Sequence, residues 1–265
     1  MNRFLLNGLR GREPLLIEPS RAQDHAALAE KVGFTDLLSK LFGDRPKAYL
    51  MEDGEKRIGV VPVRGVIGKA LAPVEKLAGA VDVDDISEDI DAMLEAGADR
   101  IAFDVSSPGG TVTGVEELAN KIRALGVPTM AYTDTEMASA AYWIASAADR
   151  VLVSPSASVG SVGCYLVVYD MSKAFEAAGV QARVYKAGRY KAIGVEGAEI
   201  TPDQDEYLQD SVEEIWEDFK AGVLMKRRLV KPDDMEAQVF SGKVAASKGL
   251  ATGVAESFKA ALASF

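Results

Sequence analysis

Apolar and polar positions follow two alternating patterns from residue 57 onward, and these patterns predict strands and helices in regular succession. Short apolar runs rich in β-branched residues predict strands, which cover residues 58–67, 100–105, 128–132, 150–153, 162–169, 181–186 and 238–240. Apolar residues at helical spacing predict helices, which cover residues 84–96, 112–125, 172–178 and 202–229. This alternation is typical of an α/β domain with a largely parallel sheet and flanking helices.

The first 55 residues lack this alternation. Two short helices are predicted there, at 21–32 and 34–42, between turn-rich segments. We therefore expect residues 1–55 to form an N-terminal extension that packs on the main domain or on a neighbouring subunit. Residues 56–265 form the main domain, in which 69–82 is predicted to be a loop or a mobile, lid-like segment.

Composition excludes several classes of protein. With 30 basic and 40 acidic residues the net charge is −10, which disfavours a general nucleic-acid or acidic-membrane surface. The single cysteine, Cys164, cannot form an intrachain disulfide and fits a reducing compartment. The N-terminal apolar run is too short for a signal peptide, and no stretch approaches the roughly 18 apolar residues of a membrane span. We therefore expect a cytoplasmic protein without a membrane span.

Ser139 stands where a short polar segment meets a small, apolar helical stretch that ends at Ala148. One interpretation is a helix N-cap, in which the serine hydroxyl accepts a hydrogen bond from a backbone N–H. The other is a nucleophile held at a turn, with backbone N–H groups nearby to stabilise an oxyanion. The only histidine, His25, lies in a predicted exposed helix far away in the sequence. The sequence therefore offers Ser139 no nearby histidine as a base.

Three further segments could contribute to such a site. Residues 107–110 are Ser-Pro-Gly-Gly and follow a predicted buried strand. Two glycines there fit a tight turn, or a site where the backbone binds an oxyanion or a peptide. The spacing of a phosphate-binding loop is absent. Residues 185–194 contain three basic side chains. Such a cluster is typical of a solvent-exposed surface. The alternative is that one lysine is desolvated and acts as a general base. Residues 154–163 form a small-residue loop whose hydroxyl groups could orient that lysine.

Taken together, the order and spacing of these segments resemble the signal peptide peptidase A family of serine peptidases. The segments are strand–Ser-Pro-Gly-Gly–helix, Met-Ala-Ser-Ala-Ala-Tyr-Trp-Ile-Ala-Ser-Ala-Ala-Asp-Arg-Val at 137–151, Gly-Ser-Val-Gly at 160–163 and Ala-Gly-Arg-Tyr-Lys at 187–191. The resemblance covers roughly residues 57–258. It is greatest to the head-maturation (prohead) proteases of lambda-like phages, because the segment at 13–19 is similar to their start. It implies a Clp- or crotonase-like fold.

The resemblance also implies roles for individual residues. Ser139 matches the family nucleophile, Lys191 its general base and Ser161 the hydroxyl that positions the lysine. The N–H groups of Gly109 or Gly110, with that of Ala140, match the oxyanion hole. Many relatives have two glycines after the nucleophile where this chain has two alanines, so methyl groups narrow the cleft.

The predicted function is therefore that of a serine endopeptidase with a Ser–Lys dyad and without a metal or cofactor. Capsid or scaffold protein, or the protease itself, is the expected substrate, in the host cytoplasm or the prohead. A homo-oligomer is expected, in which the dyad could be completed across a subunit interface. The alternatives are a soluble bacterial peptidase of this family, a non-catalytic assembly protein with this fold, and a crotonase-like acyl-CoA enzyme.

Overall fold

The computed structural model describes residues 47–265 and the backbone of residues 15–17. The predicted helices at 21–32 and 34–42, and His25, lie outside these residues. The strands are β1 (Leu15–Ile17), β2 (Tyr49–Asp53), β3 (Lys56–Arg64), β4 (Ile67–Gly68), β5 (Val81–Asp82), β6 (Arg100–Ser106), β7 (Gly109–Thr111), β8 (Thr129–Thr133), β9 (Glu136–Ala138), β10 (Arg150–Val153), β11 (Ser158–Gly160), β12 (Val239–Ser241) and β13 (Gly253–Val254). The helices are α1 (Pro73–Leu77), α2 (Val83–Glu95), α3 (Val115–Arg123), α4 (Ala140–Ser146), α5 (Ser172–Ala177), α6 (Pro202–Leu224), α7 (Gly242–Ser247) and α8 (Phe258–Ala263).

A six-stranded sheet in the order β13-β10-β8-β6-β3-β2 forms the centre of the molecule. Neighbouring strands are parallel from β13 to β3, and only the edge strand β2 runs antiparallel. The parallel strands are apolar on both faces, as expected for a sheet covered on both sides. This arrangement confirms the predicted α/β class with a largely parallel sheet.

Two smaller sheets stand beside the central one, in the orders β1-β7-β4-β5 and β12-β11-β9. They are continuations of the central strands, since β3, β6, β8 and β10 are each followed by a short strand of a smaller sheet. After β7 and after β9 the chain enters a helix, α3 and α4 respectively. The fold therefore repeats a unit of long strand, short strand and helix.

Apolar residues on the two faces of the central sheet form two cores. The larger core contains α2, α3 and α4, with Phe219 and Val223 of α6 packed against them. The smaller core lies on the opposite face, where Ala261 and Leu262 of α8 cover Tyr132 and its neighbours. Because both faces are buried, the central sheet is a rigid support for the short strands that continue its strands.

Strands β1 and β2 come from the 55 residues predicted to form an extension. Strand β2 pairs with β3 at the edge of the central sheet, and β1 pairs with β7. Both strands therefore attach the predicted extension to the main domain through backbone hydrogen bonds.

Most predicted elements are present within a few residues of their predicted bounds, with four exceptions. The strands predicted at 162–169 and 181–186 are wrong, because among the described residues neither segment forms a strand, and Tyr165 makes only an isolated bridge. The segment predicted as a loop at 69–82 contains α1 and β5. The long helix α6 ends at Leu224 rather than 229.

Residues 169–200, which we call the arm, lie largely exposed beside α6. The arm contains α5 and is joined to α6 by an ion pair of 2.8 Å between Arg189 Nε and the Asp203 carboxylate. The rings of Tyr190 and Tyr207 also stack with centroids 4.4 Å apart. Across residues 47–265, no helix combines the length and the apolar character needed to cross a membrane.

Candidate active site

Ser139 lies between β9 and α4 in an uncommon backbone conformation, with φ 55° and ψ −122°. A non-glycine residue with positive φ is strained, so the surrounding structure must hold it. The Ser139 N–H donates to the carbonyl oxygen of Gly160 at 2.8 Å, and the Ser139 carbonyl accepts from the Trp143 N–H at 2.9 Å. Strand β9 continues this anchorage, because it pairs in parallel with β11.

The hydroxyl of Ser139 does not cap α4, so the N-cap interpretation is wrong. Its Oγ lies 3.5 Å from the carbonyl oxygen of Gly163, which is a marginal hydrogen bond. The residue is 1% exposed. A buried hydroxyl with so weak a hydrogen bond can turn toward a bound group.

Strand β7, which contains Gly109 and Gly110, packs near α4, the helix that begins directly after Ser139. Ser107 precedes this strand, and it exchanges two backbone hydrogen bonds with β9, to Glu136 and from Ala138, at 2.9 and 3.1 Å. Gly109 has φ 100°, and its N–H donates to Ser107 Oγ at 3.2 Å. Of the three residues predicted to form an oxyanion hole, Gly109 and Gly110 therefore lie in β7 and Ala140 begins α4.

Gly110 has no room for a side chain. A Cβ atom at this position would overlap the backbone of Ile67 in the neighbouring strand β4, including its carbonyl oxygen. Because β4 and β7 approach so closely, only glycine allows the two strands to pair.

Ser161 is also brought close to Ser139. It follows Gly160, the hydrogen-bond partner of Ser139, and its own φ is 55°. Its N–H donates to the carbonyl oxygen of Gln238 at 2.7 Å, so the segment leading into β12 fixes this second strained serine. Ser161 is 4% exposed and therefore belongs to the same buried region.

Lys191, in contrast, is not brought to Ser139 within one copy of the chain. It lies exposed in the arm, and its N–H donates to the carbonyl oxygen of Gly188 at 3.2 Å. A lysine that acts as general base works from a desolvated position beside its nucleophile. A single copy in this conformation therefore presents the candidate nucleophile and its surroundings without the predicted base.

The helix α4 is fixed at both ends and along its length. Trp143 stacks on Phe219 of α6, with ring centroids 4.6 Å apart and planes 7° apart. The Tyr142 hydroxyl donates to the carbonyl oxygen of Leu250 at 2.8 Å, and burial raises the Tyr142 pKa far above its ordinary value. At the C-terminal end, the Arg227 guanidinium donates to the carbonyl oxygens of Ala148 and Asp149, at 2.5 and 3.0 Å.

Sequence patterns did not indicate the contributions of Arg227 and Ser107. Arg227 is 4% exposed, and burial lowers the pKa of its guanidinium although Tyr142 and Asp149 act in the opposite direction. Arg227 follows the longest helix in the sequence, and nothing in the local pattern indicates which carbonyl groups it contacts. Ser107 had a signal, because a hydroxyl stands two residues before Gly109, but its hydrogen bond depends on the geometry of the turn.

An open cavity of about 250 Å³ lies behind the segment that carries Gly163. Trp216 forms part of the cavity wall. Its indole N–H donates to the carbonyl oxygens of Val162 and Met235, at 3.2 and 3.0 Å. The cavity is lined by Val162, Gly163, Cys164, Gln209, Val212, Glu213, Trp216, Glu236 and Ala237. Burial raises the pKa of the Cys164 thiol to about 11, so this cysteine is not a thiolate nucleophile near neutral pH.

Comparison with known proteins gives the same fold and a family. A solved ClpP1 mutant from Listeria monocytogenes has a TM-score of 0.50 and 13% identity, over 76% of this chain and 93% of that one, which confirms the Clp-like fold. The capsid assembly protease C of Escherichia phage lambda is 28% identical over 90% of this chain and 60% of its own length. The chloroplastic serine protease SPPA of Arabidopsis thaliana is 24% identical over 74% of this chain and 30% of its own length.

The family assignment rests on the region that contains the candidate site. Residues 121–263 match Peptidase family S49, which is more than half of the chain. The matched region includes Ser139, Ser161 and Lys191, and it begins after the glycine strand β7. The chain therefore belongs to Peptidase family S49, as the resemblance to signal peptide peptidase A predicted.

Proposed function

We propose that this chain is a serine endopeptidase in which Ser139 is the nucleophile. The observation that carries the proposal is the buried Ser139, held at positive φ between β9 and α4 and placed beside the glycine strand β7. Strain of about 1–3 kcal/mol at a single residue persists only where surrounding structure enforces it, and such residues cluster at active sites. The N-cap role that would otherwise explain a serine here is absent.

In this mechanism a neutral Lys191 takes the proton of Ser139 as Oγ attacks the substrate's peptide carbonyl. The N–H groups of Gly109 or Gly110 and of Ala140 stabilise the resulting oxyanion. The hydrogen bond from Gly109 to Ser107 is long at 3.2 Å, and the oxyanion replaces it. Collapse of the intermediate breaks the C–N bond and forms the acyl-enzyme, while Lys191 gives the proton it holds to the departing amine. Lys191 then takes a proton from water as that water attacks the ester, and returns it to Ser139 Oγ when the acid product leaves. Ser161 orients the lysine amine, as the carboxylate orients histidine in a Ser–His–Asp triad.

Lys191 reaches Ser139 from a second copy of the chain. In one copy the lysine is exposed, whereas the mechanism needs it desolvated. The arm that carries it exposes seven apolar side chains, Tyr169, Met171, Val180, Val184, Tyr185, Tyr190 and Val195. An exposed apolar region of this kind marks a protein interface, and docking the arm on a neighbour would bury these side chains and the lysine together.

Protein segments in extended conformation are the proposed substrates. The name of the lambda relative, a capsid assembly protease, favours scaffold or capsid protein, or the protease itself, as the natural target, with the host cytoplasm or the prohead as its location. A soluble bacterial peptidase is the alternative role for the same chemistry. A non-catalytic assembly protein would keep the fold without needing Ser139 and Lys191.

Replacement of Ser139 tests the proposal. Ser139→Ala should abolish cleavage of a casein or phage structural-protein substrate, and labelling by a fluorophosphonate probe should disappear. Ser146→Ala is the matched control, because Ser146 is buried on the same helix with its hydroxyl donating to Trp143 at 2.8 Å. Full activity of the Ser139→Ala variant would refute the assignment.

Replacement of Lys191 tests the base. Lys191→Arg should lower kcat at least a thousandfold, since arginine keeps its charge, and Lys191→Met should do the same. Lys186→Met provides the control on the same arm. An unchanged pH–rate profile in the Lys191→Met enzyme would contradict the role of Lys191 as base.

A further inference from the structure

Strand β1 lies on the outer edge of the glycine strand β7. The two strands are antiparallel, with Ile17 opposite Gly109, Leu16 opposite Gly110 and Leu15 opposite Thr111. The inner edge of β7 is taken by β4, through the pairing of Gly110 with Ile67. A strand has two edges only, so β1 covers the one edge of β7 that a further extended peptide could join.

That edge adjoins the candidate nucleophile. Gly109 is two residues after Ser107, and Ser107 is bound through its backbone to β9, the strand that ends immediately before Ser139. A peptide that adds to the edge of β7 would gain backbone hydrogen bonds and at the same time bring its own carbonyl groups toward Ser139. The proposed peptidase needs a substrate in this arrangement.

The direction and sequence of β1 suit an occupant of this edge. Because the pairing is antiparallel, the C-terminal residue of β1, Ile17, lies at the end of β7 nearest Ser139. Prolines at positions 14 and 19 stand just outside the strand in the sequence. Proline has no N–H and does not extend a hydrogen-bonded ladder, so the sequence supplies a short strand with a stop on either side.

We propose that residues 15–17 are an intramolecular competitor of the substrate, which holds the β7 edge until an extended protein segment displaces them. This inference rests on the proposed peptidase function. Because the competing strand belongs to the same chain, its local concentration at the β7 edge exceeds that of a free peptide in dilute solution. A weakly pairing free peptide would then fail to enter, whereas a long substrate with further contacts would succeed.

A full-length variant with both Leu16→Pro and Ile17→Pro tests the proposal. Neighbouring residues of a strand point their N–H groups to opposite sides, so the double replacement removes the donor to β7 whichever residue provides it. We expect KM for a short peptide substrate to fall roughly tenfold with kcat unchanged. Leu16→Val with Ile17→Val, which keeps both donors, should leave KM at the wild-type value. If the proline variant unfolds, glycine at both positions should shift KM in the same direction by a smaller factor.

A binding measurement separates this inference from the peptidase proposal. A fluorescent peptide with the sequence of residues 13–19 is titrated into Ser139→Ala chains, where no cleavage occurs. Fluorescence anisotropy should show binding at least about tenfold tighter to the chain carrying the two prolines than to the chain with intact β1. Equal affinity for both chains would overturn the competitor role. Failure of the peptidase proposal would instead appear as loss of activity and of probe labelling in every variant, with the binding difference intact.

Discussion

Single residues determine whether the short strands and turns around Ser139 can approach one another. Ser139 and Ser161 both have φ of 55°, and each is fixed by a backbone hydrogen bond from its N–H of 2.8 Å or less. Gly110 contributes in another way, because its missing side chain lets β7 lie against β4. Two strained residues and one absent methyl group therefore shape the surroundings of the proposed nucleophile.

Gly110→Ala should destabilise the fold. The added methyl group would overlap the backbone of Ile67, so the two strands must separate, at a cost of about 1–3 kcal/mol. Thermal unfolding should therefore occur about 2–10 °C lower, and peptidase activity should fall as well.

The matched control for this change is Gly126→Ala. A Cβ atom at Gly126 meets nothing within 4 Å, and this glycine does not have positive φ. Its melting temperature should stay within about 1–2 °C of wild type. If Gly110→Ala is as stable as Gly126→Ala, the close approach of β7 and β4 does not require glycine.

Secondary-structure elements were predictable from the sequence where burial agrees with the local pattern. The strand at Arg150–Val153 and the helix at Val83–Glu95 match their predicted bounds within a residue, since both pack against the central sheet. The strands predicted at 162–169 and 181–186 failed, because both segments lie outside the three sheets of the described residues, apart from an isolated bridge at Tyr165. Most of the short strands, two or three residues long, were too brief to give a periodic pattern, although β12 was predicted within a residue.

The same limit applies to the candidate site. Its serine, glycines and lysine were identifiable from residue types and spacing, aided by the family resemblance. The positive φ of Ser139, the hydrogen bond from Gly109 to Ser107 and the pairing of β1 with β7 depend on contacts between distant segments. The local sequence therefore identifies the chemical groups of the candidate site, whereas long-range packing determines their orientation.

Helix α4 depends on α6 for its position, and Phe219→Ala tests this dependence. Phe219 is fully buried and stacked on Trp143, so its truncation should cost about 3–5 kcal/mol. Loosening α4 should also move Ser139 and lower kcat. Urea unfolding and peptidase assays measure the two effects.

Leu224→Ala is the control on the same helix, because Leu224 is 36% exposed. It should cost less than about 1 kcal/mol and leave kcat unchanged. Similar losses in the two variants would show that the contact between Trp143 and Phe219 does not position α4.

At the scale of the whole molecule, the structure divides into a rigid core and an exposed arm. The core repeats a unit of long strand, short strand and helix, although the sequence has no detectable repeat. The short strands of this pattern lie close to one another, so that β7, β9 and β11 surround Ser139. The arm carries Lys191 and exposes Tyr185 at 90%, so the two halves of the proposed dyad lie in parts of the chain with opposite character.

Mixing two inactive variants tests whether the dyad is shared between copies. A site then needs Ser139 from one chain and Lys191 from another, so co-refolded equal amounts of Ser139→Ala and Lys191→Met chains should regain about a quarter of wild-type activity, because each site draws its two chains at random. Replacing the Ser139→Ala partner with a chain carrying both substitutions is the control, and it should restore nothing, since that partner supplies no Lys191. An inactive first mixture, with the chains shown by native mass spectrometry to be mixed, would mean that Ser139 and Lys191 act within one chain. The arm would then have to close on its own core, burying its apolar side chains there.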